Sequence, residues 1–239
     1  MEVLAVLGAG LMGHSIALTS AWAGIEVTLQ GIDEADIERA GKGIREKLGI
    51  LQEHGLINEG ESEKIQSRIR TTCIVEEAVQ AATFVIEAIP EQLDLKIAYF
   101  QQLDQLCGPH VLLASNTSGL SPTAIASQMR HPERMVVTHF WNPAHLIPLV
   151  EVVRGEKTDD LTVKRALDFL KRMKKRPIEV KKDILGSVGN RIQYAIFREA
   201  QYILEQGVAS MEDIDAAVTY SLGRRLPITG PFMTADMGG

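Results

Sequence analysis

The chain has 239 residues, with 31 acidic against 25 basic side chains and a formal net charge of −6. That length holds one large α/β domain plus a smaller one, or a single big domain, and the acidic balance argues against a nucleic-acid or anionic-membrane partner. No apolar run of 18 residues is present to span a membrane, and the two cysteines, Cys73 and Cys107, form no CxxC pair, so no metal framework is expected. The cysteine usage, and an apolar strand-like start with no leader pattern before it, give the expectation of a reducing, cytoplasmic setting.

Residues 3–7 read as a strand, and the glycines that follow, Gly8, Gly10 and Gly13, form G-x-G-x-x-G at the start of a helical pattern. Gly8 permits a tight turn, Gly10 lets the backbone approach a pyrophosphate, Gly13 allows close helix–strand packing, and the helix N-terminus favours the anion. Gly8, Ala9, Gly10, Leu11, Met12 and Gly13 are therefore candidate dinucleotide contacts; a merely structural glycine turn is the alternative. A second strand is predicted over 27–29. The acid expected at its end for the adenosine ribose is missing, because Gly31 stands there, and Asp33 is the candidate substitute. Arg39 lies too deep in the next helix to meet a ribose 2′-phosphate, so NAD is favoured over NADP.

Segment 33–70 is charged and helical in pattern, with breaks at His54-Gly55 and around Glu59-Gly60-Glu61. It is expected to form a helical pair projecting from the sheet. Further strands are predicted over 84–89, 111–114 and 135–140, alternating with helical segments. Short, near-continuous apolar strands of this kind predict an α/β fold, doubly wound and mostly parallel, buried on both faces.

In such sheets the ligand crevice lies outside the carboxyl ends of the strands. One end carries Ser115, Asn116, Thr117 and Ser118. Hydroxyls at such turns are usually caps, as Ser121 before Pro122 is expected to be, but Ser118 precedes the cap and is a candidate substrate contact. The next strand runs into His139, passes Trp141-Asn142-Pro143, and gives way to a second apolar run holding Glu151 among Leu149, Val150, Val152 and Val153. Hydride transfer from an alcohol needs a base for the hydroxyl proton, and imidazole suits that near neutral pH. An unpaired buried Glu151 would cost several kcal/mol, order of magnitude. A histidine partner removes that cost, while the acid fixes the tautomer and steadies the imidazolium. The alternative is a surface histidine, with Glu151 paired to a structural Lys or Arg.

Beyond Lys182 no strands are predicted. The expected division is a dinucleotide-binding domain over 1–182 and a helical domain over 183–239. The latter holds a long helix from Val188 to near Gly207 and a second helix capped by Ser210.

GAGLMG, VIEAIPEQLDLK, SNTS, HFWNP with LVEVV, KDILGSVGNRI and GPFMTADMGG occur together and in this order. Over nearly its whole length the chain resembles the L-3-hydroxyacyl-CoA dehydrogenase family, in particular its 3-hydroxybutyryl-CoA dehydrogenase-like members. The resemblance implies a Rossmann-type NAD-binding domain and a small all-helical C-terminal domain. It also implies reversible oxidation of the 3-hydroxyl of an L-3-hydroxyacyl-CoA, as in fatty acid β-oxidation. His139 is then the general base, Glu151 its orienting partner, Ser118 a hydrogen-bonding group at the substrate oxygen and Asn190 a residue at the reacting centre. Glu91, Lys96 and Asn142 match cofactor positions, the 33–70 arm matches the coenzyme A-binding arm, and a homodimer through the helical domain is implied. Lys47, with Lys42 and Arg45 nearby, is positioned to meet coenzyme A phosphates, against the alternative of a solvated basic face. Three departures stand out: Gly31, SNTSG in place of SNTSS, and an end at Gly239 where members continue, which implies a truncated C-terminus. A relative acting on a small hydroxy acid of gulonate or carnitine type is the competing enzyme reading. A catalytically weak NAD-binding structural protein, as some crystallins are, is disfavoured by the joint retention of His139, Glu151, Ser118 and Asn190.

Overall fold

The computed structural model describes residues 2–58 and 60–238; Met1, Glu59 and Gly239 lie outside the described residues. Two compact units are present, one ending at Ser187 and the other beginning at Val188, a short way beyond the boundary expected near Lys182.

The first unit is built on one eight-stranded sheet. Its elements are β1 (Leu4–Leu7), α1 (Leu11–Trp22), β2 (Val27–Gln30), α2 (Glu34–Glu53), α3 (Glu61–Gln66), β3 (Ile69–Thr72), α4 (Val75–Val79), β4 (Phe84–Glu87), α5 (Leu93–Leu106), β5 (Leu112–Ser115), α6 (Pro122–Ile125), β6 (Met135–Phe140), β7 (Leu149–Arg154), α7 (Asp160–Arg172) and β8 (Arg176–Val180). The strand order is β3-β2-β1-β4-β5-β6-β7-β8, with every pairing parallel except β6 with β7. This is the doubly wound, mostly parallel sheet the apolar runs predict.

Alternate residues of each central strand feed two cores. Leu4, Val6, Leu29, Phe84 and Ile86 pack on one face with α1 and α7, and Ala5, Leu7, Val85 and Leu113 pack on the other with α5. Strands β1, β4 and β5 are buried throughout, as a two-sided core requires. Phe84 stacks on Phe169 of α7 with centroids 4.4 Å apart. On the opposite face Arg134 is bound to Asp104 of α5 at 2.7 Å, with both side chains buried, and it also donates to the Gly108 and Cys107 carbonyls.

The expected projecting arm is corrected in two ways. In α2, Ala40, Ile44, Leu48 and Leu51 recur at helical spacing, are buried, and share a core with Ile16 and Ala17 of α1. The helix therefore lies on the body of the domain. The tail of the segment is no arm either, since Ile69 and Arg70 begin β3, which pairs with β2 at the sheet edge. Two edge strands, β3 and β8, lie outside the predicted set.

The second unit is helical: α8 (Gly189–Glu205), α9 (Met211–Ala217), a π-helical turn at Val218–Leu222, α10 (Gly223–Arg225) and α11 (Pro231–Asp236). Ser210 caps α9 as predicted, its hydroxyl accepting from the Asp213 amide at 3.1 Å.

Candidate active site

The glycine loop joins β1 to α1. Gly8 has φ +100°, and a Cβ there would stand 2.7 Å from the Ala88 carbonyl oxygen; a Cβ on Gly13 would stand 1.7 Å from the Gly8 carbonyl. Neither position accepts a side chain. Gly10, by contrast, faces open space, and as the N-cap of α1 it offers no side-chain acceptor to the first-turn amides. Those amides are left for an external anion. The loop therefore fits the pyrophosphate of a dinucleotide, and Ala9, Leu11 and Met12 are the backbone positions around it.

At the end of β2 a Cβ on Gly31 would lie 2.9 Å from Ile37 Cγ1 and 3.2 Å from Asp36 Oδ2. The Asp36 carboxylate thus flanks the place where an acid at position 31 would project, mostly covered at 18% side-chain exposure. It accepts from the Ile32 amide at 3.2 Å and from Arg39 at 3.2 Å. Asp33 serves the helix itself, accepting from the Asp36 amide at 2.7 Å as the N-cap of α2. The sequence reading passed over Asp36; its signal was an acid at the third position of a capped helix.

At the carboxyl ends of β4 and β5 a polar network closes. Glu87, fully buried, accepts from Lys96 Nζ at 2.5 Å, the Ser115 hydroxyl at 2.6 Å and the Ile89 amide at 2.7 Å. Burial pushes its carboxyl up, opposed by these same donors. Glu91 lies 3.4 Å from Lys96 Nζ and accepts from the Thr117 hydroxyl and, at 2.9 Å, from the Ser118 amide. Glu91, Lys96 and Ser118 are thus brought together. The ammonium of Lys96 is buried against Glu87, so it orders the turn from inside. Glu87 was missed, although an acid ending the apolar run Phe84-Val85-Ile86 was the same kind of signal as Glu151.

The spacing of His139 and Glu151 is explained by the one antiparallel pairing, which sets these two residues directly opposite each other. His139 Nδ1 lies 2.9 Å from Glu151 Oε2, and Trp141 Nε1 donates to the same oxygen at 3.3 Å. Both members are buried, Glu151 completely. With Nδ1–H donating to the carboxylate, Nε2 keeps its lone pair for an external proton. Asn116 Oδ1 accepts from the Phe140 amide at 2.9 Å and ties the β5 turn to this strand end. Asn142 is exposed on the loop between β6 and β7, and Asn190 lies in the first turn of α8 in the second unit.

The three basic candidates of α2 separate. Lys42 and Arg45 are exposed, Lys42 lying 3.8 Å from Glu46. Lys47 turns inward, 2.8 Å from Nε2 of His14, a residue of α1 that the sequence reading did not single out. Among the described residues no helix is long and apolar enough to cross a membrane, and no group of side chains is arranged to hold a metal.

Comparison with known proteins agrees with this geometry. Residues 3–184 match the family model described as 3-hydroxyacyl-CoA dehydrogenase, NAD binding domain, and residues 186–239 match its C-terminal domain. The 5-formyl-3-hydroxy-2-methylpyridine 4-carboxylate 5-dehydrogenase of Mesorhizobium japonicum is 35% identical over 99% of this chain and 75% of its own. The L-carnitine dehydrogenase of Oceanobacillus iheyensis is 33% identical over 100% of this chain and 76% of its own. The solved (S)-3-hydroxybutyryl-CoA dehydrogenase of Ralstonia eutropha superposes with a TM-score of 0.88 at 32% identity, covering 93% of this chain and 78% of that one. The glycine cradle, the histidine–glutamate pair and these matches identify the chain as an NAD-dependent oxidoreductase that belongs to the 3-hydroxyacyl-CoA dehydrogenase family.

Proposed function

We propose that the chain reversibly oxidises the 3-hydroxyl of an L-3-hydroxyacyl compound to the ketone, with His139 as base. The carrying observation is the buried 2.9 Å contact between His139 and Glu151, with His139 near the carboxyl end of β6, a strand that runs parallel to β1 and so ends on the same side of the sheet as the glycine loop. NAD, when bound, supplies the hydride acceptor. His139 Nε2 takes the hydroxyl proton, and Glu151 stabilises the imidazolium that results. Ser118, on a turn fixed by Glu91, hydrogen-bonds the substrate oxygen. Asp36 meets the adenosine ribose in place of the acid missing at Gly31.

The substrate expected from the family is an L-3-hydroxyacyl-CoA of β-oxidation, turned over by a cytoplasmic homodimer, and the likeness to a 3-hydroxybutyryl-CoA dehydrogenase supports it. A second reading, a small hydroxy acid without coenzyme A, is favoured by the two relatives named for a pyridine carboxylate and for carnitine. Initial rates with acetoacetyl-CoA and NADH, set against gulonate and carnitine with NAD and each repeated with the phosphorylated cofactor, test both. The proposal predicts turnover with one class and NAD preferred. No turnover of any of them by a protein that binds NADH would remove it.

A further inference from the structure

The buried pair at the ends of β6 and β7 has a third member. Trp141 stands just past the end of β6, and its indole Nε1 donates at 3.3 Å to Glu151 Oε2, the same oxygen that His139 Nδ1 approaches to 2.9 Å. One carboxylate oxygen thus meets two N–H groups of different kinds. The imidazole takes up and releases a proton at its far nitrogen, whereas the indole N–H only donates. The two rings lie 5.7 Å apart between centroids, tilted by 48°. The sequence reading passed through Trp141 without giving it a part.

A carboxylate bound to an imidazole strengthens it as a base, because the negative charge favours the imidazolium over the neutral ring. A second donor on the same oxygen draws on that charge whichever form the ring takes, and so blunts the effect. Burial sharpens the competition: Glu151 is fully buried and His139 nearly so, where hydrogen bonds to a charge are strong. We infer that the Trp141 N–H keeps His139 a weaker base than the Glu151 carboxylate alone would make it, so that the imidazole stays unprotonated and ready at neutral pH. Trp141 is then a positioning residue acting through Glu151, and the inference rests on the reading of His139 as the base. The other charged groups around the strand are occupied elsewhere. Glu87, Glu91 and Lys96 are paired among themselves at the end of β4, two strands away, and Arg154 of β7 is paired with Asp160 and with Glu179 of β8. Asp183 takes the Ser121 hydroxyl and the Thr123 amide at the start of α6, and Arg134 and Asp104 close on each other at the entry of β6. His145, farther along the loop, is pushed down to about 4 by burial and then by Lys47, Lys175 and His14, so it is neutral where His139 works. Replacing Trp141 alters none of these partners.

Trp141→Phe tests this, because it removes the N–H and keeps an aromatic ring beside the imidazole. Followed by NMR through its Cε1–H signal, and assigned by the loss of that signal in His139→Gln, His139 should titrate about 0.3–1 pH unit higher in Trp141→Phe than in the parent, the shift expected of one hydrogen bond to a shared charge. The rate profiles should carry the same displacement. The acid limb of kcat/KM for carnitine or gulonate oxidation by NAD, or the alkaline limb for acetoacetyl-CoA reduction by NADH, should move to higher pH. A tryptophan with a merely structural role would lower kcat or the melting temperature at every pH and leave the midpoint in place. An unmoved or lowered His139 midpoint overturns the inference. Should Trp141→Phe not fold, the parent decides. Trp22 is the only other tryptophan, so Trp22→Phe assigns the Trp141 indole N–H signal. That signal should move upfield as His139 takes up its proton and draws the shared oxygen toward Nδ1; a signal blind to that titration overturns the inference. If none of the three substrates is turned over, the dehydrogenase reading fails separately, and the two titrations still decide the part played by Trp141.

Discussion

His139 and Glu151 act as one group, because the carboxylate that fixes the imidazole is itself partnered in its burial by that imidazole and by Trp141. Replacing His139 with Gln should lower kcat by at least about 10²-fold, the lower range for general-base catalysis, with NADH affinity unchanged in a fluorescence titration. Glu151→Gln should reduce kcat too and shift its pH profile. At the cofactor end the glycines act by excluding atoms. Gly13→Ala places a methyl 1.7 Å from the Gly8 carbonyl, so the loop must move and NADH binding should fall or vanish in the same titration. Asp36 and Asp33 should part company. Asp36→Ala is expected to weaken discrimination between NAD and NADP, read as the ratio of kcat/KM, whereas Asp33→Ala removes a cap and should cost about 0.5–2 kcal/mol in denaturant melts with the ratio unchanged. An aspartate in place of Gly31 would not restore the usual ribose acid, because its Cβ meets Ile37 and its charge meets Asp36.

Among the elements, the most sensitive joint is Arg134 with Asp104, which binds α5 to the entry of β6. Burial alone would raise the Asp104 carboxyl, but hydrogen bonds from Arg134 and from the Arg130 and His131 amides outweigh it and hold it below the usual aspartate range. A depressed folded value contributes stability above the unfolded value of about 3.9 and loses it as pH falls through the lower folded one. Asp104→Ala leaves the guanidinium buried without its anion and should cost about 3–5 kcal/mol at neutral pH. It should also flatten the fall in melting temperature on acidification below pH 4. Elements without such buried signatures were the ones hidden in the sequence. Central strands announce themselves because burial on both faces demands unbroken apolar runs. The edge strand β3 is Ile-Arg-Thr-Thr and half exposed, and β8 carries Pro177 and Glu179, so neither shows that demand. The surface charges of α2 concealed the stripe that seats it on α1. His139 and Glu151 were legible because an acid in an apolar run needs a reason. His14 lies in no repeating pattern, and only the folded chain brings it to Lys47.

At the scale of the whole molecule, the helical unit leaves large apolar side chains exposed. Helix α8 buries no residue, and Ile192, Tyr194, Phe197, Tyr202 and Leu204 are exposed along it. Exposed apolar faces of this extent favour self-association, so light scattering across a dilution series should report a homo-oligomer, and Phe197→Glu should shift it toward monomer. In the other unit, the antiparallel ladder of β6 and β7 sets His139 across from Glu151 by backbone register. Of the connection between the two strands, Trp141 reaches the pair through its bond to Glu151. Residues 143–148 lie beyond that bond and are free to drift, lengthen or exchange side chains while the facing of His139 and Glu151 is kept. Novelty in what is recognised can accumulate in the middle of a stretch of chain whose two ends are held by the ladder itself.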